Sequence, residues 1–266
     1  MKTHHTHIVA ITNQKGGVGK TTTAVNLAAS LAATKRRTLL IDLDPQGNAT
    51  MGCGIDKYHL THSVLDLLIN EAEFEEVMQH RPDFKLDVLP ANRDLTAAAV
   101  SLLDSHEKER RLKTVLSPIA EQYDYIIIDC PPTLNMLTLN ALAAADSVLI
   151  PMQCEYFSLE GLTSLLDTIE QARASFNPRL TIEGILRTMY DSRNRLTNDV
   201  NQQLYQHFGD TVYETVIPRN VRLAEAPSFG KPILQYERQS KGAAAYLALA
   251  GEMIRRKEKE DSYGEQ

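Results

Sequence analysis

Two textures of apolar residues alternate along the chain of 266 residues. Short, near-continuous runs of Ile, Leu and Val predict strands at residues 7–12, Thr38–Asp42, Leu86–Leu89, Tyr125–Asp129, 147–151, 181–188 and 215–217. Unbroken runs of this kind belong to strands buried on both faces of a mostly parallel sheet, because a strand with one wet face would alternate apolar and polar positions. Between them lie stretches with helical spacing, at Lys20–Ala33, 63–70, 110–122, 159–175, 196–208 and 242–257. The alternation predicts an α/β fold: a doubly wound, mostly parallel sheet flanked by helices. No Pro/Gly/Ser-rich linker and no internal repeat interrupts it. The expectation is one domain over residues 1–257, followed by a polar tail, 258–266, that frays.

Composition narrows the class without naming a function. No apolar run is long enough to cross a membrane, and the opening MKTHHTH has no apolar signal-peptide core. Cys53, Cys130 and Cys154 are far apart and form neither a metal-ligand spacing nor a disulfide framework. They are expected to be small buried hydrophobes in a reducing cytoplasm. His4, His5 and His7 are expected to be a solvated lead into the first strand. Net charge is −6, so the whole chain does not advertise nucleic acid as a partner. The distribution is uneven: from Arg187 to Arg256 ten Lys/Arg stand against seven Asp/Glu. That excess supports DNA binding only weakly, since most charged residues simply solvate a surface.

The sharpest chemistry is KGGVGKTT at residues 15–22, after a strand and before a helix. Gly16, Gly17 and Gly19 let backbone N–H groups curl around an anion. The helix that follows turns its positive dipole end toward that anion. Lys20 can then reach β- and γ-phosphates, Thr21 is the expected Mg²⁺ ligand, and Val18 and Thr22 complete the cradle. A plain glycine turn would need neither the Lys nor the Thr at these offsets. The usual pattern has a further glycine where this chain has Gln14, and this chain adds a lysine, Lys15.

Two other strand ends carry carboxylates. Thr38–Asp42 runs on into LDPQGN, which places Asp42 and Asp44 at the carboxyl edge of the sheet, where open α/β sheets bind ligands. The same pair would also serve as turn formers ahead of Pro45. Tyr125–Asp129 ends in Asp129 before two prolines, which is the arrangement of a strand-end carboxylate that holds Mg²⁺. The loop-rich segment 215–233 carries Arg, Asn and Pro at the same kind of edge, either lining a pocket or only solvated.

The Lys-Gly-Gly-x-Gly-Lys-Thr loop resembles the deviant Walker A motif of the ParA/MinD family of P-loop ATPases. DLDPQGN and DCPP resemble that family's two switch segments, and 186–196 with 215–233 resemble its chromosomal ParA (Soj) group. The resemblance spans residues 7–255, nearly the whole chain. It implies ATP and Mg²⁺ as ligands, with Asp42 near the metal and Asp44 orienting the attacking water. It implies an ATP-dependent homodimer in which Lys15 crosses to the partner's nucleotide. It further implies that Pro218, Arg219 and Asn220 flank the adenine, and that Arg193 and Arg222 touch DNA without sequence preference. By the same resemblance a ParB-type centromere-binding partner stimulates slow hydrolysis, and the protein is cytoplasmic and nucleoid-associated. The expected function is chromosome or plasmid partition. The main rival is a MinD-like membrane-positioning ATPase, which would need an exposed apolar stripe on the last helix; Tyr246, Leu247, Leu249, Ala250, Met253 and Ile254 are expected to face the core instead, and no stable membrane association is expected. A bacterial tyrosine kinase would need clustered C-terminal tyrosines, and a DNA-binding scaffold without turnover would not need Lys20, Asp44 and Asp129 together.

Overall fold

The computed structural model describes residues 6–102, 107–156 and 158–264. Among them are eight strands: β1 (His7–Ile11), β2 (Thr38–Asp42), β3 (Gln79–Arg81), β4 (Leu86–Leu89), β5 (Tyr125–Asp129), β6 (Ser147–Gln153), β7 (Thr181–Tyr190) and β8 (Val212–Pro218). They form one sheet in the order β3-β4-β2-β5-β1-β6-β7-β8. Neighbours run parallel except β3, which pairs antiparallel with β4 at the edge. This is the doubly wound, mostly parallel sheet the apolar runs predict.

Side chains alternate between two cores, as the two-residue period of a strand requires. Ala10, Ile126 and Ile128 join one face, with Leu142, Leu162 and Leu165 from covering helices. Val9, Ile11 and Ile127 join the other, with Leu27, Leu31, Tyr246 and Leu249. That second face is closed by two helices, Lys20–Ala33 and Lys241–Gly264. Tyr246 is fully buried there, with its hydroxyl 3.2 Å from Thr23 Oγ1. Burying a side chain of this size contributes about 2 kcal/mol, provided its polar end is satisfied.

Four local expectations need correction. The helix expected at 110–122 stops at Leu116 and resumes only as a short turn at Ala120–Gln122, because Pro118 has no N–H to continue the ladder. A helix at Met136–Ala144 was not expected; it is apolar on every side and so shows no helical period. The polar segment expected to fray is helical as far as Gly264, tied by Arg36–Glu258 at 3.6 Å and Lys257–Asp261 at 3.1 Å. His7 is not solvated: it is 5% exposed and lies 2.8 Å from Glu183 Oε2. His4 and His5 lie outside the described residues.

Candidate phosphate-binding site

Chain order reverses around β1. From β1 the chain crosses to β2 on one side, and later returns to β6 on the other. The loop after β1 therefore opens over a gap between diverging crossovers, the place where such sheets bind ligands. Register brings three strand ends level: Ile11 and Asp42 both align with Asp129.

Residues 13–19 form the loop, and its shape is held from several sides. Asn13 is buried; its Nδ2 donates to Pro151 O at 2.8 Å, and its Oδ1 accepts from Lys15 N at 3.0 Å. Thr188 Oγ1 donates to Val18 O at 2.8 Å, and Gln153 Nε2 to Gly17 O at 3.3 Å. Gly17 and Gly19 have φ of 76° and 87°, a region that side chains disfavour. Gly19 immediately precedes the helix Lys20–Ala33, so its first free N–H groups face the loop's concavity.

Lys20 is only 7% exposed, and its Nζ donates to Lys15 O at 3.1 Å. Burial holds its pKa below the usual lysine value, against the pull of Asp129, Cys130 and Asp44. An anion in the loop would relieve that cost. Lys15 points outward and pairs with Glu155 Oε2 at 2.7 Å.

The three aspartates differ sharply. Both oxygens of Asp129 are buried without a hydrogen-bond partner. Burial and the neighbouring Asp42 and Asp44 push its pKa well up; Thr21 and Lys20 lean the other way, the Thr21 hydroxyl acting from close by without closing a hydrogen bond. A buried, orphaned carboxylate beside a threonine hydroxyl fits a divalent cation. Asp42 is engaged instead. Its Oδ2 accepts from Thr50 N at 2.8 Å and Thr50 Oγ1 at 2.7 Å, and its Oδ1 from Asp44 N at 3.1 Å. Burial pushes it up to about 6 despite those bonds. Asp42 thus holds the turn that carries Asp44, whose Oδ1 accepts from Gln46 N at 2.9 Å. Among the described residues no three His, Cys, Asp or Glu form a metal cage; Mg²⁺ commonly leans on one or two carboxylates, waters and substrate phosphates.

A cleft of about 340 Å³ opens directly beside the loop, bounded by Gly19, Thr22, Thr188, Pro218, Arg219 and Asn220. The sequence-predicted trio thus lies next to the phosphate loop. Asn220 has a second task, capping the helix Val221–Glu225 through Leu223 N at 3.2 Å. Arg193 and Arg222 are not brought to this cleft. Each is exposed and paired locally, Arg193 with Asp191 at 2.8 Å and Arg222 with Glu225 at 2.8 Å. Arg187, counted with the basic excess, is interior: it donates to Glu214 O at 3.0 Å and to Tyr213 O and Asn201.

A family model described as an AAA domain matches residues 6–182. A chromosome partitioning protein ParA of Myxococcus xanthus is 53% identical over 94% of this chain and 88% of its own length. The chain belongs to the ParA/MinD family of ATPases. A sporulation initiation inhibitor protein Soj of Bacillus subtilis is 52% identical over 92% of this chain and 97% of its own. Among solved structures, a protein of Mycobacterium smegmatis named cobyrinic acid a,c-diamide synthase, with bound ADP and magnesium, superposes with a TM-score of 0.84 at 38% identity. That match covers 95% of this chain and 96% of the other.

Within this ParA/MinD chain, Asn13, Gln153, Glu155 and Thr188 escaped the sequence reading. Thr188 closes a predicted strand and could have been flagged by position. Glu155 had no sequence signal, because its contact with Lys15 spans 140 residues.

Proposed function

We propose that this chain is an ATP-hydrolysing partition protein of the ParA/Soj type. The observation that carries the reading is the loop with two lysines, one buried and one outward, set over the orphaned carboxylate of Asp129.

The residues divide the work as follows. Loop N–H groups and Lys20 bind the β- and γ-phosphates, and the buried ammonium offsets charge that builds on the leaving oxygen. Thr21 and Asp129 would hold Mg²⁺, with Asp42 keeping the neighbouring turn in place; when bound, the ion neutralises phosphate charge. Asp44 orients a water for in-line attack at the γ-phosphorus, whose bond to the β-phosphate oxygen breaks to release ADP and phosphate. The cleft beside Pro218, Arg219 and Asn220 takes the base.

Lys15 faces solvent, and its reach is toward a second subunit's nucleotide. The ATP-bound form is then a homodimer that binds DNA through backbone phosphates, without sequence preference. A ParB-type partner accelerates hydrolysis and returns the dimer to monomers. The protein works on the nucleoid in the cytoplasm.

Two rival readings are less well supported. Among the described residues no helix is long and apolar enough to span a membrane. The last helix turns Tyr246, Leu249, Ala250 and Met253 into the core, with Leu247 and Ile254 half-buried, so it lacks the exposed stripe a MinD-like anchor requires. An amide-forming activity, as the mycobacterial neighbour's name suggests, would share the ATP step. The partition proteins stand closer, at 52–53% identity against 38%.

The deciding experiment is phosphate release from ATP with and without duplex DNA and a ParB-type protein. Synergistic stimulation by both is expected. A rate indifferent to both would overturn the partition role.

A further inference from the structure

The basic excess of the second half of the chain is concentrated. Between Arg219 and Lys241 five Lys/Arg face two Asp/Glu, while the rest of 187–256 is balanced, five against five. In the middle of this stretch stands a large apolar side chain in water. Phe229 is 61% exposed. Its ring stacks on Tyr236, with centroids 4.8 Å apart and planes at 29°. Tyr236 in turn donates its hydroxyl to Glu225 Oε2 at 3.1 Å, and the same oxygen accepts from Arg222. The aromatic pair and Arg222 are therefore one connected unit.

The unit is anchored on both sides. Gly230 N donates to Pro227 O at 3.0 Å, closing the turn beneath Phe229. Gly230 packs so closely on Gly54 that an added Cβ would stand 2.7 Å from Gly54 Cα. Ile233 N donates to Asn26 Oδ1 at 2.7 Å, tying the segment to the phosphate-loop helix. An aromatic on a pinned loop loses little conformational entropy when it is covered.

The negative π face of a ring has no favourable contact to make with a phosphate oxygen. In a stretch that also carries Arg222, Lys231, Arg238 and Lys241 the complementary partner is a polyanion, and the part of a nucleic acid that suits a ring is the face of a base. Apolar wedges of this kind enter a base step of duplex DNA between flanking phosphate contacts.

We propose that Phe229, backed by Tyr236, is a base-step wedge of the DNA-binding surface, an inference that rests on the DNA-binding reading above. Arg222 and its basic neighbours hold phosphates, and Phe229 unstacks one step without reading its sequence.

The test uses the full chain with a slowly hydrolysed ATP analogue, Mg²⁺ and mixed-sequence duplex DNA across a salt series. Phe229→Ala should weaken binding roughly tenfold, within the range of one lost stacking contact, with the slope of log affinity against log salt unchanged. Arg222→Ala should instead make that slope shallower by about one. Phe229→Tyr should retain most of the affinity. The parent should also shift the linking number of plasmid relaxed by a topoisomerase, and Phe229→Ala should lose that shift. The wedge is overturned if Phe229→Ala matches the parent in affinity and linking number. It is equally overturned if its affinity falls with a shallower salt slope and no change in linking number, or if it loses only stimulation by a protein partner. A parent chain that binds no DNA under these conditions would sink the DNA-binding reading, and the wedge with it; the parent measurement separates that case from failure of the wedge alone.

Discussion

Lys15 and Lys20 share one loop and meet opposite surroundings. Lys20 is buried, and burial depresses its pKa, so the chain holds an uncomfortable cation where phosphates would sit. Lys20→Ala should cut affinity for Mg²⁺-ATP by about 100-fold or more, read by calorimetry; near-parental affinity would remove Lys20 from the phosphate site. Lys15 is half-exposed and parked on Glu155 at 2.7 Å. If it serves a partner subunit, that parking opposes dimerisation, though only mildly, since exposed ion pairs contribute about 0.2–1 kcal/mol. Two such pairs open in each dimer, so Glu155→Ala should tighten the ATP-dependent dimer by about 2- to 30-fold, while Lys15→Ala should abolish it and Asp44→Ala should leave the dimer intact but stall hydrolysis. Sedimentation with ATP and Mg²⁺ separates the three. A Lys15→Ala protein that still dimerises would contradict the crossing role. The placement of the candidate site residues was legible wherever strand-end position and glycine spacing fix it, as for Lys20, Thr21 and Asp129. It was not legible where a contact joins distant segments, as at Glu155 and Thr188.

At the scale of elements, the parallel strands were readable because both their faces are buried, so β2 after Thr38 and β5 are apolar up to their terminal aspartates. The helix Met136–Ala144 was hidden for the same reason, since uniform burial erases the amphipathic period; its only cue was Asn135, whose Oδ1 accepts from Leu137 N and Thr138 N. Strand β3 was hidden by its polarity, as an exposed edge needs no apolar face. At the end of the sheet away from the phosphate loop, a polar crossbar ties four strands. Glu183 on β7 accepts from Ser147 on β6 and Tyr213 on β8, each at 2.7 Å, and lies 2.8 Å from His7 Nε2 on β1. Burial alone would raise the Glu183 pKa; the contacts with His7, Ser147 and Tyr213 overcome it and hold the carboxyl at about 2. A carboxylate depressed on folding stabilises the fold above its unfolded value, here 4.5, and that contribution fades as pH falls from there toward about 2. At roughly 1.4 kcal/mol per unit the contribution is on the order of 3 kcal/mol. Glu183→Gln should lower the melting temperature at pH 7 and flatten its decline between pH 5 and pH 3. An equally steep acid decline in the variant would rule the crossbar out as its source.

For the molecule as a whole, charge has to be reconciled with the polyanionic partner proposed for it. A chain of net charge −6 is repelled by DNA at long range, so the proposed binding would have to come from a local surface, strengthened if a dimer presents two copies. The composition read from sequence hinted at such a surface but spread it over seventy residues; folding withdraws Arg187 into the interior and matches Arg193 and Arg195 with Asp191 and Asp199. What remains in excess is the stretch from Arg219 to Lys241, where Arg222 is itself paired with Glu225 but Arg219, Lys231, Arg238 and Lys241 outnumber Glu237. The two arginines that the family resemblance nominates should therefore not behave alike. Arg222→Glu should abolish ATP-dependent DNA binding with the dimer intact, because it places a second acid beside Glu225 within the excess. Arg193→Glu should cost less, because its neighbourhood is already balanced. Both proteins can be compared by anisotropy with duplex DNA at low and moderate salt, where loss of a single phosphate contact makes the salt slope shallower by about one. Equal losses would mean that the surface extends across both segments in the dimer. Parental binding by both would remove these two arginines from the surface, with Lys231, Lys241 and Arg255 as the next positions to reverse.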